Sequence, residues 1–275
     1  MITLFAAPKP FKGHIGVIQR NAIHSWTLLQ PKFEIILFGD EEGIGEVAAE
    51  YGLIHIPYVA RNDFGTPLVS DMFRQAQDYA LHDVMCYSNA DVIYLSDFVN
   101  AVSCISSKML KFLAIGQRWD LDIDKPIDFD SKWEEKLKGA AKQNGWLHPK
   151  GGMDYFIFSR GLFKNIPPFA IGRPIWDNWM VYNALHMGVN VIDATEAITA
   201  IHQNHDYSHI PYGDGSTYEG KEAELNRSMY NMKRHVFTMD DASYILSNNY
   251  FRPKILNGFV NPIRLRLIDP ILRDY

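Results

Sequence analysis

Short apolar runs alternate with stretches of helical spacing along most of the chain. Ile2 to Ala6, Glu34 to Phe38, Leu53 to Val59 and Val84 to Tyr87 each have the composition of a buried strand. Between them Ile15, Ile18, Ala22, Ile23 and Trp26 recur at helical spacing. A short helix is expected from Glu42 to Tyr51, and another from about Leu68 to Leu81, carrying Met72, Phe73, Ala76 and Tyr79. Strands in alternation with helices predict a mainly parallel sheet covered on both faces. The second half continues with a helix over Ser96–Ile105 and a strand over Lys111–Ile115. A charged amphipathic helix over Asp130–Asn144 and a strand over Tyr155–Ser159 follow. A helix from about Trp179 to Met187 precedes strands at Val189–Ala194 and Ala197–Ile201. The expected organisation is a main domain over 1–215, with halves at 1–110 and 111–215. Residues 216–275 are expected to form a helical extension packed on it.

Polar residues fall where this pattern gives them a shared address. Lys9, Asp40, Arg61 and Asp91 each follow a predicted strand. In a parallel sheet all four reach one edge, where ligands of open α/β sheets bind. Lys9 suits phosphate, Asp40 a base or ribose, and Arg61 a diphosphate; each alone is also an ordinary solvated loop charge. Val84–Tyr87 runs straight into Ser88-Asn89-Ala90-Asp91. A carboxylate there, with an amide two residues before it, can seat a hard cation and its phosphates. The alternative is a surface turn, where Asn and Asp are common.

Further along, Arg118 and Asp120 leave a strand together, and His148 to Asp154 is a polar, glycine-containing loop that includes Gly152. Glycine there allows a ligand close approach or simply makes a turn. Asp177 stands near a helix start, flanked by Trp176, Asn178 and Trp179. It is either a helix cap or a base beside aromatic faces that suit a sugar ring. His202, His205 and His209 cluster after the last strand. Three readings stay open: structural or substrate-contacting histidines, a site shared with Asp91, or an independent zinc site. Asn204, Tyr207, Pro211 and Gly213 favour a loop there.

Composition narrows the functional classes. The chain has 275 residues, 47% hydrophobic and 21% charged, with a net charge of -5. That is an ordinary folded protein, and with no long Lys/Arg run nucleic acid is not an expected partner. Cys86 and Cys104 are its only cysteines, too few for a disulfide framework and consistent with a reducing compartment. The N-terminus lacks the form of a signal peptide, and no stretch approaches the roughly 18 apolar residues of a membrane span. A cytoplasmic location is expected. The Arg264-to-Ile268 piece is read as packing back on the domain, with peripheral contact to an anionic membrane or a second subunit as alternatives. Neither the dinucleotide-binding glycine fingerprint nor a P-loop is present.

The strand-ending Asn89-Ala90-Asp91, the later Trp176-Asp177-Asn178 and the His202-to-His209 cluster together resemble the GT-A class of nucleotide-sugar glycosyltransferases, over roughly residues 1–210. The resemblance implies a GT-A-like, Rossmann-type three-layer α/β sandwich, with a nucleotide-binding half at 1–110 and an acceptor-binding half at 111–215. It implies transfer of a sugar from a UDP- or GDP-linked donor to a glycan or other hydroxyl acceptor, assisted by a divalent cation (Mn or Mg). Asp91 takes the place of the second carboxylate of an Asp-x-Asp element, and Asn89 stands where the class usually has Asp. His202 or His205 would complete the metal shell, and Asp177 matches the acidic base of inverting members. The implied donor-binding set is Ala7, Lys9, Asp40, Arg61, Asn89, Ala90 and Asp91. The acceptor or sugar set is Arg118, Gly152, Asp154, Trp176 and Asn178. The first loop lacks the glycine-rich, arginine-containing segment of sugar nucleotidyltransferases. The rivals are a metallohydrolase built on His202, His205 and His209, and a non-catalytic nucleotide-sugar-binding module.

Overall fold

A computed structural model of the chain describes residues 1–205, 218–230 and 236–254. The elements in order are β1 (Ile2–Ala6), α1 (Gly13–Leu28), β2 (Glu34–Phe38), α2 (Ile44–Tyr51), β3 (Ile54–Ile56), α3 (Val69–Tyr79), β4 (Val84–Ser88) and β5 (Val92–Tyr94). They continue with α4 (Asp97–Lys108), β6 (Phe112–Ile115), β7 (Trp119–Leu121), α5 (Trp133–Asn144), β8 (Trp146–Leu147), β9 (Tyr155–Ser159) and α6 (Trp176–His186). Then come β10 (Asn190–Asp193), β11 (Ala200–Gln203), α7 (Lys221–Met229), β12 (Tyr244–Ser247) and β13 (Tyr250–Pro253).

The main sheet runs β13-β12-β10-β6-β9-β4-β1-β2-β3. Its pairings are parallel except those made by β9 and β13. Period-2 alternation divides the apolar side chains between two layers. Leu4, Cys86 and Ile157 point to the layer of α1, α2, α4 and α5; Phe5, Tyr87 and Phe158 point to that of α3 and α6. This is the expected three-layer α/β arrangement. Gly16 lets the start of α1 lie against the preceding loop, because a Cβ there would sit 2.8 Å from the carbonyl carbon of Phe11.

A second, smaller sheet was not anticipated. Its order is β5-β11-β7-β8. The chain leaves β4 in the main sheet, passes through Asn89-Ala90-Asp91 and enters β5 in the small one. The expected strand ending at Ile201 extends to Gln203, so His202 lies in β11 and not in a loop. The 216–275 segment also departs from expectation. Only α7 is an α-helix among its described residues; β12 and β13 add two strands to the main sheet. Ser243 carries this join: its amide donates to Val191 O at 2.7 Å and its hydroxyl accepts from Val191 N at 3.4 Å. The Arg264-to-Ile268 piece and His209 lie outside the described residues. No helix among the described residues is long and apolar enough to cross a membrane.

Candidate active site at the joint between two sheets

Because β1, β2, β3 and β4 are parallel, the segments that follow them converge on one rim. Ala7 and Lys9, Asp40, Arg61, and Asn89 to Asp91 stand there as expected. β9 is antiparallel to β4, with Ser88 opposite Tyr155, so the residue entering β9, Asp154, joins the same rim. Gln19 of α1 fixes the first loop: its amide accepts from Lys9 N at 2.6 Å and donates to Lys9 O at 2.8 Å. Arg61 pairs with Asp40 at 2.6 Å and Glu41 at 2.8 Å, with the Asp40 side chain 72% exposed.

The small sheet supplies the rest by register. His202 pairs with Val92 on one side and Asp120 on the other. That places its imidazole between Asp91, the residue before β5, and Asp120 of β7. His205 follows two residues after β11. Its Nε2 is 3.2 Å from Asp91 Oδ2, and His202 Nε2 is 3.9 Å from the same oxygen. Candidate ligand atoms of Asp91, His202 and His205 all lie within 4.8 Å of one another. Their side chains are 13%, 8% and 3% exposed. Gln203, the last residue of β11, braces this corner against α1, donating to Ile18 O at 2.7 Å and to Asp91 O at 3.1 Å.

Burial opposes the charge on Asp91. The His202 and His205 rings and the Lys9 ammonium outweigh it and hold the carboxyl well below the usual carboxylate range. Burial likewise opposes the His202 imidazolium, and Asp91 and Asp120 outweigh it, so its affinity for a proton is raised. Oδ1 of Asp91 is buried and takes no hydrogen bond from any described residue. A buried carboxylate oxygen without a donor is costly. The Asp91 carboxylate with the two imidazole nitrogens forms a group that fits a divalent cation.

Several expected contacts take a different form. Asn89 is consumed within the protein: Tyr87 Oη donates to its Oδ1 at 2.8 Å, and its Nδ2 donates to Asp154 Oδ1 at 2.7 Å. Arg118, expected to meet an acceptor, is 9% exposed. It pairs with Asp154 and, at 2.8 Å, with Asp120, and its third nitrogen lies 3.2 Å from His148 Nδ1. All three guanidinium nitrogens are engaged inside the fold, so Arg118 links rim elements together. Trp176 and Trp179 were expected to offer faces to a sugar, but are 6% and 7% exposed. Trp176 packs edge-on against Tyr87 at 5.2 Å and against Phe73 at 6.4 Å. Asn178 donates to Phe237 O at 2.7 Å. Gly152 gives room to the His148 ring, whose Nε2 would lie 2.7 Å from a Cβ there.

Asp177 stands in the first turn of α6, with Oδ1 accepting from Asn178 N at 2.9 Å. Burial and the nearby charge of Asp154 raise its pKa from 3.8 to about 6, against the pull of backbone N–H groups. Trp176, the residue before Asp177, packs on Tyr87 at 5.2 Å, and Tyr87 bonds Asn89 in the rim turn, which ties the start of α6 to that turn. The residue before α6, Ile175, has φ 88°. A β-branched residue in that region is strained, and such strain persists where the surrounding structure enforces it, often at functional sites.

Residues that sequence reasoning passed over are Tyr87, Asp120, His148, Gln19 and Gln203. Asp120 left a trace, as the carboxylate two residues after Arg118. The others read as ordinary strand, loop or helix residues.

No protein-family model matches the chain, and no curated protein matches it. Solved structures do. Mannosyltransferase PcManGT from Pyrobaculum calidifontis, in complex with GDP-Man and Mn²⁺, is 12% identical with a TM-score of 0.46 over 73% of this chain and 56% of its own. Glucosyl-3-phosphoglycerate synthase from Mycobacterium tuberculosis, in complex with Mg²⁺ and UDP, is 13% identical with a TM-score of 0.46 over 76% of this chain and 73% of its own. S. aureus TarS (1–349) is 8% identical with a TM-score of 0.36 over 44% of this chain, and the match spans 36% of that structure.

Proposed function

We propose that the protein is a glycosyltransferase that moves a sugar from a UDP- or GDP-linked donor to an acceptor hydroxyl. The observation that carries this reading is the buried Asp91, His202 and His205 triad, with an unsatisfied carboxylate oxygen, at the rim where four parallel strands end. A divalent cation held there would offset the negative charge that grows on a departing diphosphate. Lys9 and the Arg61–Asp40 pair stand on the loops beside it, where a phosphate and a nucleoside would lie.

Asp177 is the proposed base. Its pKa of about 6 leaves it ionised at neutral pH, yet still able to accept a proton as one is lost. The acceptor oxygen forms a bond to the sugar C1 as the C1–O bond to the diphosphate breaks. The acceptor proton passes to the Asp177 carboxylate. This assigns inversion at C1.

The test is a panel of UDP- and GDP-sugars with Mn²⁺, assayed for nucleotide release with glycan and simple hydroxyl acceptors. Mn²⁺-dependent release that Asp91→Ala abolishes, with product of inverted configuration that Asp177→Asn prevents, supports the proposal. Retention of configuration removes the role given to Asp177. The two-histidine, one-carboxylate set also occurs in zinc hydrolases. Tight stoichiometric zinc with no nucleotide release from any donor would favour that second reading.

A further inference from the structure

We propose that Asp120 is the positioning residue of the triad: it orients His202 and keeps the Nε2 of that ring for the cation. The inference rests on the cation-site reading above. Its basis is the geometry of one carboxylate between two rings and a guanidinium. Oδ1 of Asp120 lies 3.0 Å from His202 Nδ1 and 2.8 Å from Arg118 Nε, and Oδ2 lies 2.7 Å from His148 Nδ1. The Asp120 side chain is 5% exposed. His202 thus faces a carboxylate with each nitrogen, Asp120 through Nδ1 and Asp91 through Nε2.

The two carboxylates have different tasks. Asp91 Oδ1 takes no hydrogen bond from a described residue and is left for a ligand. Asp120 bonds Arg118 Nε at 2.8 Å and His148 Nδ1 at 2.7 Å, lies 3.0 Å from His202 Nδ1, and is held by β7, which pairs directly with β11 at His202. A metal-binding imidazole needs a proton on the nitrogen remote from the metal and a bare lone pair on the other; a carboxylate at the remote nitrogen enforces that tautomer. Arg118 then fixes Asp120 by pairing it with Asp154, which Asn89 also holds at 2.7 Å. The chain of contacts therefore runs from the Asn89-Ala90-Asp91 turn through Asp154, Arg118 and Asp120 to His202, and back to Asp91.

Two measurements test this. The first is Mn²⁺ affinity by electron paramagnetic resonance for the wild type, Asp91→Ala, Asp120→Asn and Asp120→Ala, each checked for native circular dichroism. The expected result is wild-type binding that Asp91→Ala abolishes and that both Asp120 variants weaken by about 10–100-fold, the range found when such supporting partners are removed. Unchanged affinity in folded Asp120 variants overturns the role of Asp120 and leaves the cation site standing. No binding by the wild type overturns both. The second needs no variant at Asp120: ¹⁵N correlation spectra of the metal-free wild type, with His202 assigned through His202→Gln, at a pH where the ring is neutral. A proton on Nδ1 is expected. A proton on Nε2, the usual preference of free imidazole, overturns the proposal.

Discussion

Asn89 Nδ2 donates a hydrogen bond to Asp154 Oδ1 at 2.7 Å, while Asn89 Oδ1 accepts from Tyr87 Oη at 2.8 Å. This relationship accounts for an amide where the resembling class has a carboxylate. An aspartate at 89 would set two carboxylates at hydrogen-bond distance, in a region already crowded by Asp91 and Asp177. We expect Asn89→Asp to destabilise the protein by about 2–3 kcal/mol, the loss of a hydrogen bond to a charged group, without tightening Mn²⁺ binding. Urea unfolding with and without Mn²⁺ checks both parts.

Asp177 is expected to make stability depend on pH in a defined window. Its folded-state pKa is raised from 3.8 to about 6, so the native chain keeps a proton that the unfolded chain has lost. Stability therefore falls as pH rises from about 4 to about 6 and is level above that. The full effect is about 3 kcal/mol. Asp177→Asn removes this cost while keeping an oxygen for the Asn178 N–H. The variant should match the wild type near pH 4 and melt several degrees higher at pH 7.5, measured by scanning calorimetry. An equal difference at both pH values would show that Asp177 has an ordinary pKa.

Glu222 carries a separate stability prediction. It is 3% exposed and pairs with Arg173 at 2.7 Å, and it accepts from Asn62 Nδ2 at 2.8 Å. Burial opposes its charge, but Thr66, Asn62 and Arg173 hold the carboxyl below its usual range. The pair thus fastens α7 to the segment before α6, and the Asn62 bond ties it to the loop after β3. Its contribution is present above the ordinary carboxyl pKa of 4.5 and is lost as pH falls through the lower folded value. Arg173→Ala leaves a buried carboxylate without its cation and should cost about 3 kcal/mol at pH 7. A smaller loss at pH 4 than at pH 7 in urea titrations would agree with this.

Most of the main sheet was legible because Ile2–Ala6, Glu34–Phe38, Val84–Ser88 and Tyr155–Ser159 are short, mostly apolar runs bounded by clear breaks; β12 and β13 were not. The rim followed from it, since parallel strands bring Lys9, Asp40, Arg61 and Asp91 to one edge without further information. The small sheet was not legible. Val92–Tyr94, Trp119–Leu121 and Ala200–Gln203 are three or four residues long, too short for alternation to identify a partner. The neighbours of His202, and hence Asp120, were hidden for that reason. Trp176 was misread because an aromatic residue beside a carboxylate has the same local pattern in a core as at a sugar-binding surface. The role of Glu222 was not legible either, because its partners Asn62 and Arg173 are distant in sequence and only the fold brings them together.

The central claim is that Asp91, His202 and His205 seat a divalent cation that in turn receives a nucleoside diphosphate. The most direct measurement is thermal unfolding of the wild type and Asp91→Ala with UDP or GDP, each with and without Mn²⁺. The account predicts that one nucleotide raises the wild-type melting temperature only when Mn²⁺ is present, and that Asp91→Ala loses this rise. The same shift in both proteins, or none with either nucleotide in the presence of Mn²⁺, would contradict it.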